Sequence, residues 1–130
     1  MNIATETSRE KRVLLIDDDP LQLRVREAVL REAGLRVDVA TTAETALALL
    51  RTGSGDSIAT IVTDHIMPGT SGAVFVHKLR ELRPGIPVIV ISGMAEAESD
   101  YVGLDVVFRT KPCPPQQLIA LVRNSLHSSR

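Results

Sequence analysis

The stretch VLLIDDDP, residues 13–20, decides the fold of this chain. Its first part, VLLID at 13–17, is an apolar run typical of a strand that is buried on both faces of a parallel sheet. Asp19 and Pro20 follow as a helix start, because Asp caps free backbone N–H groups and Pro suits the first helical position. A buried strand that leads directly into a helix is the repeating unit of α/β folds.

The same strand-then-helix unit recurs along the rest of the chain. Four more strands are predicted: RVDVA at 36–40, IATIVTD at 58–64, IPVIVIS at 86–92 and VVFRT at 106–110. Helices are predicted to end near Gly34, Leu50, Leu82 and Leu126, and a weak one lies in GMAEAESDYVGL at 93–104. Five strands alternating with five helices predict an α/β fold with a doubly wound, five-stranded parallel sheet covered on both faces.

Two of these helices carry predictions for individual residues. The second helix is expected to begin at a capping box formed by Thr41 and Glu44. The first is expected to bury an apolar stripe made of Leu21, Val25, Ala28 and Val29.

Length and composition limit the class of protein. A chain of 130 residues with 44% hydrophobic residues is expected to form one domain, over 12–127, between a flexible lead at 1–11 and a tail at 128–130. The net charge of −1, without a basic stripe, argues against direct nucleic-acid binding. No apolar run approaches the ~20 residues of a membrane span, and the polar start lacks a secretory signal. A cytoplasmic location is therefore expected.

Polar residues follow four of the predicted strands. Strand one ends in Asp17-Asp18-Asp19, strand three in Asp64, strand four in Ser92, and strand five leads into Lys111. Ligands of open parallel sheets bind beside the carboxyl ends of the strands. If the sheet order is 2-1-3-4-5, these polar groups meet around one pocket.

The chemistry of such a set is restricted. Clustered carboxylates repel one another unless a cation joins them, and a few oxygen ligands suit Mg²⁺, with Mn²⁺ as an alternative. Lys111 and the Ser92 hydroxyl are suited to hold an oxyanion such as a phosphoryl group. A carboxylate can also act as the nucleophile and become an aspartyl-phosphate.

From Val13 to Leu126 the sequence resembles the receiver domain of two-component response regulators. The resemblance rests on the acidic pair in LLIDDDP, on Asp64 in VTDHIMPGTSG, on Ser92 in VIVISG and on Lys111 in FRTKP. It implies a flavodoxin-like three-layer sandwich with the sheet order 2-1-3-4-5, an order that a chemotaxis receiver shares.

The resemblance also implies a role for each site residue. Asp64 would take a phosphoryl group from a phosphohistidine of a sensor histidine kinase or a histidine phosphotransfer protein. Asp18 would bind the Mg²⁺ ion directly, Asp17 mainly through water, and the backbone carbonyl of Ile66 would complete the protein ligands. Lys111 would contact one phosphoryl oxygen.

Signal output is implied in the same way. Ser92 would hydrogen-bond the phosphoryl group and be drawn towards it, and Phe108, the aromatic switch position, would then turn inward. The coupled surface would consist of the fourth helix, the fifth strand and the last helix, which would contact an unknown downstream protein. The chain is expected to be a monomer or a weak dimer.

Three features depart from the family pattern. Ile66 and Met94 lie two residues after Asp64 and Ser92, where family side chains influence hydrolysis of the aspartyl-phosphate. Neither side chain can orient a water molecule, so we expect a long-lived phosphorylated state. The fourth helix is expected to be truncated or mobile, because 93–104 contains two glycines.

Other residues of the same types have ordinary interpretations. Asp19 is expected to be a helix cap and not a ligand, and Cys113 a small packing residue. His65 is expected to lie exposed beside the site and His77 on the surface. No histidine has a ligand-spaced partner, which argues against a histidine metal site.

Alternatives to a stand-alone receiver remain open at this point. The chain can be the terminal receiver of a hybrid sensor kinase, because its segments DHIMPG and VISGMAE are similar to those of such receivers. A small Mg²⁺-dependent phosphatase commonly has an acid two residues after its nucleophile, where this chain has Ile66. A nucleotide-binding module lacks support, since no glycine-rich loop follows strand one. A phosphate-independent interaction module is disfavoured by the intact set of polar residues.

Overall fold

The computed structural model describes residues 11–67 and 69–128, and its centre is a five-stranded parallel sheet. The strand order is β2-β1-β3-β4-β5, as predicted, and each neighbouring pair runs parallel. The strands are β1 (Arg12–Ile16), β2 (Arg36–Ala40), β3 (Ile58–Asp64), β4 (Val88–Ser92) and β5 (Val107–Thr110). The α/β fold and the sheet order predicted from the sequence are confirmed.

Helices cover both faces of this sheet and give three layers. They are α1 (Pro20–Glu32), α2 (Ala43–Arg51), α3 (Gly72–Leu82) and α4 (Pro115–Ser128), with 3₁₀ segments at Gly53–Ser57 and Ala95–Tyr101. A separate two-stranded ribbon pairs Ile66–Met67 with Thr70–Ser71, directly after β3.

Alternation along the buried strands divides the core into two halves. In β1, Leu14 and Ile16 pack on one face with side chains from α2 and α3. Val13 and Leu15 point to the other face and pack with side chains from α1 and α4. Successive strand residues point to opposite faces, so an unbroken apolar strand supplies both halves.

The first helix begins as predicted. The Asp19 carboxylate accepts hydrogen bonds from the backbone N–H groups of Leu21 and Gln22, and Pro20 is the first helical residue. The cap fixes the direction in which the chain leaves β1, immediately after the acidic residues at its end.

The buried face of α1 differs from the predicted stripe. Leu23 and Leu30 are buried, whereas Leu21 and Val25 are 72% and 55% exposed. The predicted stripe of Leu21, Val25, Ala28 and Val29 is therefore wrong, with only Val29 partly buried. Arg26 lies between the two buried leucines at helical spacing, so a charged residue interrupts the apolar pattern of this face.

The second helix starts one residue later than predicted. Thr42 is its N-cap, and its hydroxyl accepts a hydrogen bond from the Thr45 N–H at 3.0 Å. Thr41 is exposed and precedes the cap. Two consecutive threonines can both serve as caps, and the sequence pattern favoured the wrong one.

The fourth predicted helix is truncated, as expected. Its place is taken by the seven-residue 3₁₀ segment Ala95–Tyr101, which ends before Gly103 with its positive φ of 83°. Arg80 of α3 fixes the loop that follows, because its guanidinium donates to the carbonyls of Leu104 and Asp105, both at 2.9 Å. The mobility of this segment stays a prediction.

Parts of the predicted domain organisation lie outside the described residues, namely residues 1–10 of the lead and 129–130 of the tail. Within the described part of the chain, no helix is long and apolar enough to cross a membrane.

Candidate functional site

Three carboxylates meet at the carboxyl end of the sheet. Ile16 of β1 pairs with Thr63 of β3, so the residues that follow them, Asp17 and Asp64, lie side by side at this end of the sheet. Carboxylate oxygens of Asp17, Asp18 and Asp64 all lie within 4.8 Å of one another. Asp17 and Asp64 are buried, whereas Asp18 is exposed.

Both carboxylate oxygens of Asp64 have partners. Oδ1 accepts a hydrogen bond from the backbone N–H of His65 at 2.7 Å, and Oδ2 accepts one from Lys111 Nζ at 3.0 Å. The Lys111 ammonium can therefore neutralise negative charge on Asp64 or on a group attached to Asp64.

The loop after β5 delivers Lys111 to this position. The backbone N–H of Lys111 donates to the carbonyl of Ser92 at 2.8 Å, and the Lys111–Pro112 peptide bond is cis. The lysine side chain is 31% exposed. The end of β4 thus fixes the backbone of Lys111, and the side chain of Lys111 reaches Asp64 at the end of β3.

Ser92 is buried at the end of β4, next to the strand that carries Asp64. Asp64 pairs with Ile91 in the sheet, so Ser92 follows directly. Its hydroxyl accepts a hydrogen bond from the Met94 N–H at 2.9 Å. In this state the hydroxyl is bound to its own loop.

Phe108 is half-buried on β5 and contacts a second aromatic ring that the sequence analysis did not single out. The ring of Tyr101 packs against Phe108 with centroids 5.8 Å apart. The same tyrosine contacts His65 edge-on at 5.5 Å, and its hydroxyl lies 2.7 Å from His65 Nδ1. Tyr101 thus joins the residue after Asp64 to the predicted switch position.

The prediction that His65 is exposed is wrong. His65 is only 8% exposed, because the side chain of Tyr101 covers it and hydrogen-bonds to it. Burial, reinforced by the charges of Asp100 and Asp64, raises the pKa of Tyr101 well above its usual range, so its hydroxyl keeps its proton. His77 is exposed, as predicted.

The two apolar residues near the site are both accessible to solvent. Ile66 is 60% exposed in the ribbon and Met94 is 38% exposed after β4. The Ile66 side chain has no hydrogen-bonding group, and the Met94 sulfur is only a weak acceptor, so neither is suited to orient a water molecule.

Sequence reasoning missed two residues of α1 that contact Asp17. Gln22 Nε2 donates a short hydrogen bond to Asp17 Oδ2, and Arg26 Nη1 lies 3.2 Å from the same oxygen. The sequence did contain a signal for this contact. Gln22 and Arg26 are one helical turn apart, and they follow the Asp19 cap, which lies next to the acidic pair.

The oxygen donors present here fit Mg²⁺. A cation near the three carboxylates would reduce their mutual repulsion, and Mg²⁺ prefers a few carboxylates while it keeps several waters. Asp18, the exposed member of the cluster, is accessible to an ion from solvent.

Residues 13–123, most of the chain and all of this site, match the sequence profile of the response regulator receiver domain. The chain belongs to this family. Receiver domains act in two-component signalling and are not metabolic enzymes, they bind Mg²⁺ in an acidic pocket, and they interact with histidine kinases or phosphotransfer proteins.

Individual relatives agree with the family assignment. The receiver domain is 33% identical over 124 residues to the hydrogenase transcriptional regulatory protein HoxA of Bradyrhizobium diazoefficiens, covering 91% of this chain and 24% of HoxA. It is 32% identical to an uncharacterised 14.6 kDa protein of Leptolyngbya boryana, covering 91% of this chain and 92% of that protein.

A solved structure supports the same fold. The response regulator receiver protein from Sinorhizobium medicae superposes with a TM-score of 0.79 at 31% identity, covering 91% of this chain and 95% of that chain. The receiver domain spans about a quarter to a half of the length of the first curated transcriptional regulators that it matches.

Proposed function

We propose that this receiver domain accepts a phosphoryl group on Asp64 from a phosphohistidine of a sensor histidine kinase or phosphotransfer protein. The observation that carries the proposal is the contact of Lys111 Nζ with Asp64 Oδ2 at 3.0 Å, beside two more carboxylates. An acidic cluster with one ammonium directed at a single carboxylate suits transfer of a phosphoryl group to that carboxylate.

In the proposed transfer, an Asp64 oxygen forms a bond to phosphorus while the bond from phosphorus to the donor's imidazole nitrogen breaks. The electron pair of the broken bond stays on that nitrogen. Lys111 is placed to neutralise a phosphoryl oxygen. Mg²⁺, when bound, supplies further neutralisation of the phosphoryl charge.

Within this proposal the ligands of Mg²⁺ are Asp17, Asp18, Asp64 and the backbone carbonyl of Ile66. Of the acidic pair Asp17 and Asp18, Asp18 is the direct ligand, since its carboxylate is exposed to solvent. Asp17 is buried and already accepts three hydrogen bonds, which suits a role through water. Mn²⁺ can replace Mg²⁺ because it accepts similar oxygen ligands.

The proposed switch couples this chemistry to a protein surface. Donation from the Ser92 hydroxyl to the phosphoryl group requires it to give up its contact with the Met94 carbonyl at 3.4 Å, which alters the loop after β4. Phe108 then moves inward. The output surface is formed by the 3₁₀ segment Ala95–Tyr101, β5 and α4, where Val102 next to it is 81% exposed.

The finer predictions on organisation stand with this proposal. The domain is taken to span 12–127, with 1–11 as its lead and 128–130 as its tail, and to lie in the cytoplasm. We propose that it works as a monomer or weak dimer through protein contact and without direct nucleic-acid binding.

Acetyl phosphate with Mg²⁺ tests the proposed function, with intact mass as the readout. We expect a gain of one phosphoryl group in the wild-type chain and no gain in Asp64→Asn. Asp56→Asn is the matched control, since Asp56 is an exposed carboxylate in the other 3₁₀ segment. No gain with acetyl phosphate or any histidine kinase would favour a phosphate-independent interaction module.

A further inference from the structure

The acidic cluster has one contact that phosphoryl transfer does not require, a guanidinium from α1. Arg26 Nη1 lies 3.2 Å from Asp17 Oδ2, and both side chains are almost fully covered, at 11% and 2% exposure. Gln22, one turn earlier on the same helix, donates to the same oxygen. Arg26 thus lies on the buried face of α1, between Leu23 and Leu30.

We propose that Arg26 competes with the divalent cation for Asp17 and thereby sets the Mg²⁺ affinity of this receiver domain. The inference rests on the proposed function, in which the acidic cluster holds Mg²⁺. It adds a residue outside the predicted ligand set.

The charges around the site give the physical reason. Arg26 and Lys111 each form an ion pair with one of the three carboxylates, so two cations already offset most of the negative charge. A divalent ion that joins the cluster is attracted by the carboxylates and repelled by both cations. Arginine cannot relieve this repulsion by losing its proton. The repulsion between the guanidinium and the bound ion therefore lowers the Mg²⁺ affinity of the site unless the guanidinium moves away.

The alternative role for Arg26 is to orient Asp17 and so to strengthen metal binding. Two other groups already perform that function. The Asp19 N–H donates to Asp17 Oδ1 at 2.9 Å, and Gln22 donates to Oδ2. The Asp17 backbone is also fixed, by a hydrogen bond from its N–H to the Ala40 carbonyl at 3.2 Å. What Arg26 adds to these neutral contacts is charge.

The surroundings allow the guanidinium to withdraw. A groove between α1 and the loop after β5 borders Arg26, and its walls include Val25, Val29, Pro115 and Leu118. Apolar walls of this kind suit the methylene stem of an arginine whose charged end points to water. The side chain can therefore change its contact without unfolding the helix.

Mg²⁺ affinity, measured by adding MgCl₂ to the full chain and following backbone amide signals by NMR, tests the proposal. We expect Arg26→Gln to bind about tenfold more tightly at low ionic strength, because a cation close to the bound ion is removed. Arg26→Lys keeps the charge and is expected to remain closer to the wild-type affinity.

Arg24→Gln is the matched control. Arg24 is exposed on the same helix, two residues away and so on a different face, and the substitution removes the same charge. We expect its Mg²⁺ affinity to equal that of the wild-type chain. A gain as large as that of Arg26→Gln would show that net charge alone sets the affinity, which overturns the proposal.

Unchanged or weaker binding by Arg26→Gln also overturns the proposal, since weaker binding means that Arg26 orients Asp17. Absence of Mg²⁺ binding in the wild-type chain would instead count against the metal requirement of the proposed function. If Arg26→Gln does not fold, the Arg26 Nε–H signal of the wild-type chain decides. We expect it to shift as MgCl₂ is added, and a signal that stays in place contradicts the competition.

Discussion

The hydrogen bond between Tyr101 and His65 offers a sharp test of how the 3₁₀ segment is attached to the phosphorylation site. Replacement of Tyr101 by phenylalanine removes one hydroxyl and keeps the ring that packs on Phe108. Tyr101 and His65 are 4% and 8% exposed, so water has little access to replace the lost partner of His65 Nδ1. The variant therefore isolates the hydrogen bond.

The expected cost follows from the burial of the atom left behind. An unsatisfied buried polar group costs about 1–3 kcal/mol. His65 can regain part of this by a small movement towards solvent, where its Nε2 already lies 3.7 Å from the exposed Asp100 carboxylate. We therefore expect the free energy of unfolding to fall by about 1.5 kcal/mol, which lowers the Tm by about 5 °C in a domain of this size.

Urea unfolding followed by far-ultraviolet circular dichroism measures this loss, since the chain has no tryptophan. Ser99→Ala is the matched control, because it removes a hydroxyl from the same 3₁₀ segment at an exposed position, where it donates to the Glu96 carbonyl at 3.1 Å. The control is expected to change stability by less than about 0.5 kcal/mol. A Tyr101→Phe loss as small as that of the control would refute the reasoning.

Three further predictions concern pH, signal lifetime and dynamics. The pKa of Asp38 is lowered chiefly by hydrogen bonds from Arg12, so its stabilising effect is present above about pH 4 and is lost as the pH falls through the lowered value. Asp38→Asn should therefore destabilise the chain near neutral pH and cease to do so in strong acid, as urea unfolding at several pH values would reveal. Loss of the phosphoryl group from the isolated protein, followed by intact mass, should be slow, and Ile66→Asn, which introduces a group able to hold water two residues after Asp64, should accelerate it. A wild-type half-life of a few seconds contradicts this prediction. Amide hydrogen exchange should be fast in residues 95–102, and strong protection throughout them would count against a mobile segment.

The sheet could be predicted because each strand carries its own signal. Buried parallel strands need apolar side chains on both faces, so VLLI and IVIS mark β1 and β4 without knowledge of their neighbours. The polar residues at the strand ends were found by the same reasoning, since parallel strands place their carboxyl ends at one edge. Asp17, Asp64 and Lys111 do come together there.

Features that depend on tertiary contacts could not be predicted. His65 is buried because Tyr101, 36 residues later in the chain, packs on it, and nothing near His65 in the sequence indicates that contact. The buried face of α1 was missed because Arg26 lies within it, and a charged residue lowers the apolar signal of a helix face. The helix cap at Thr42 was misplaced because Thr41 is an equally suitable residue type.

Chemical trapping of the phosphorylated residue tests the central claim most directly. Borohydride reduces an acyl phosphate to an alcohol, so reduction after incubation with acetyl phosphate and Mg²⁺ should convert Asp64 to homoserine, which peptide mass spectrometry locates. We expect homoserine at position 64 and at no other aspartate, including the neighbouring Asp17 and Asp18. Homoserine at either of those two positions, or an unreduced chain after a confirmed gain of phosphate, would contradict the account.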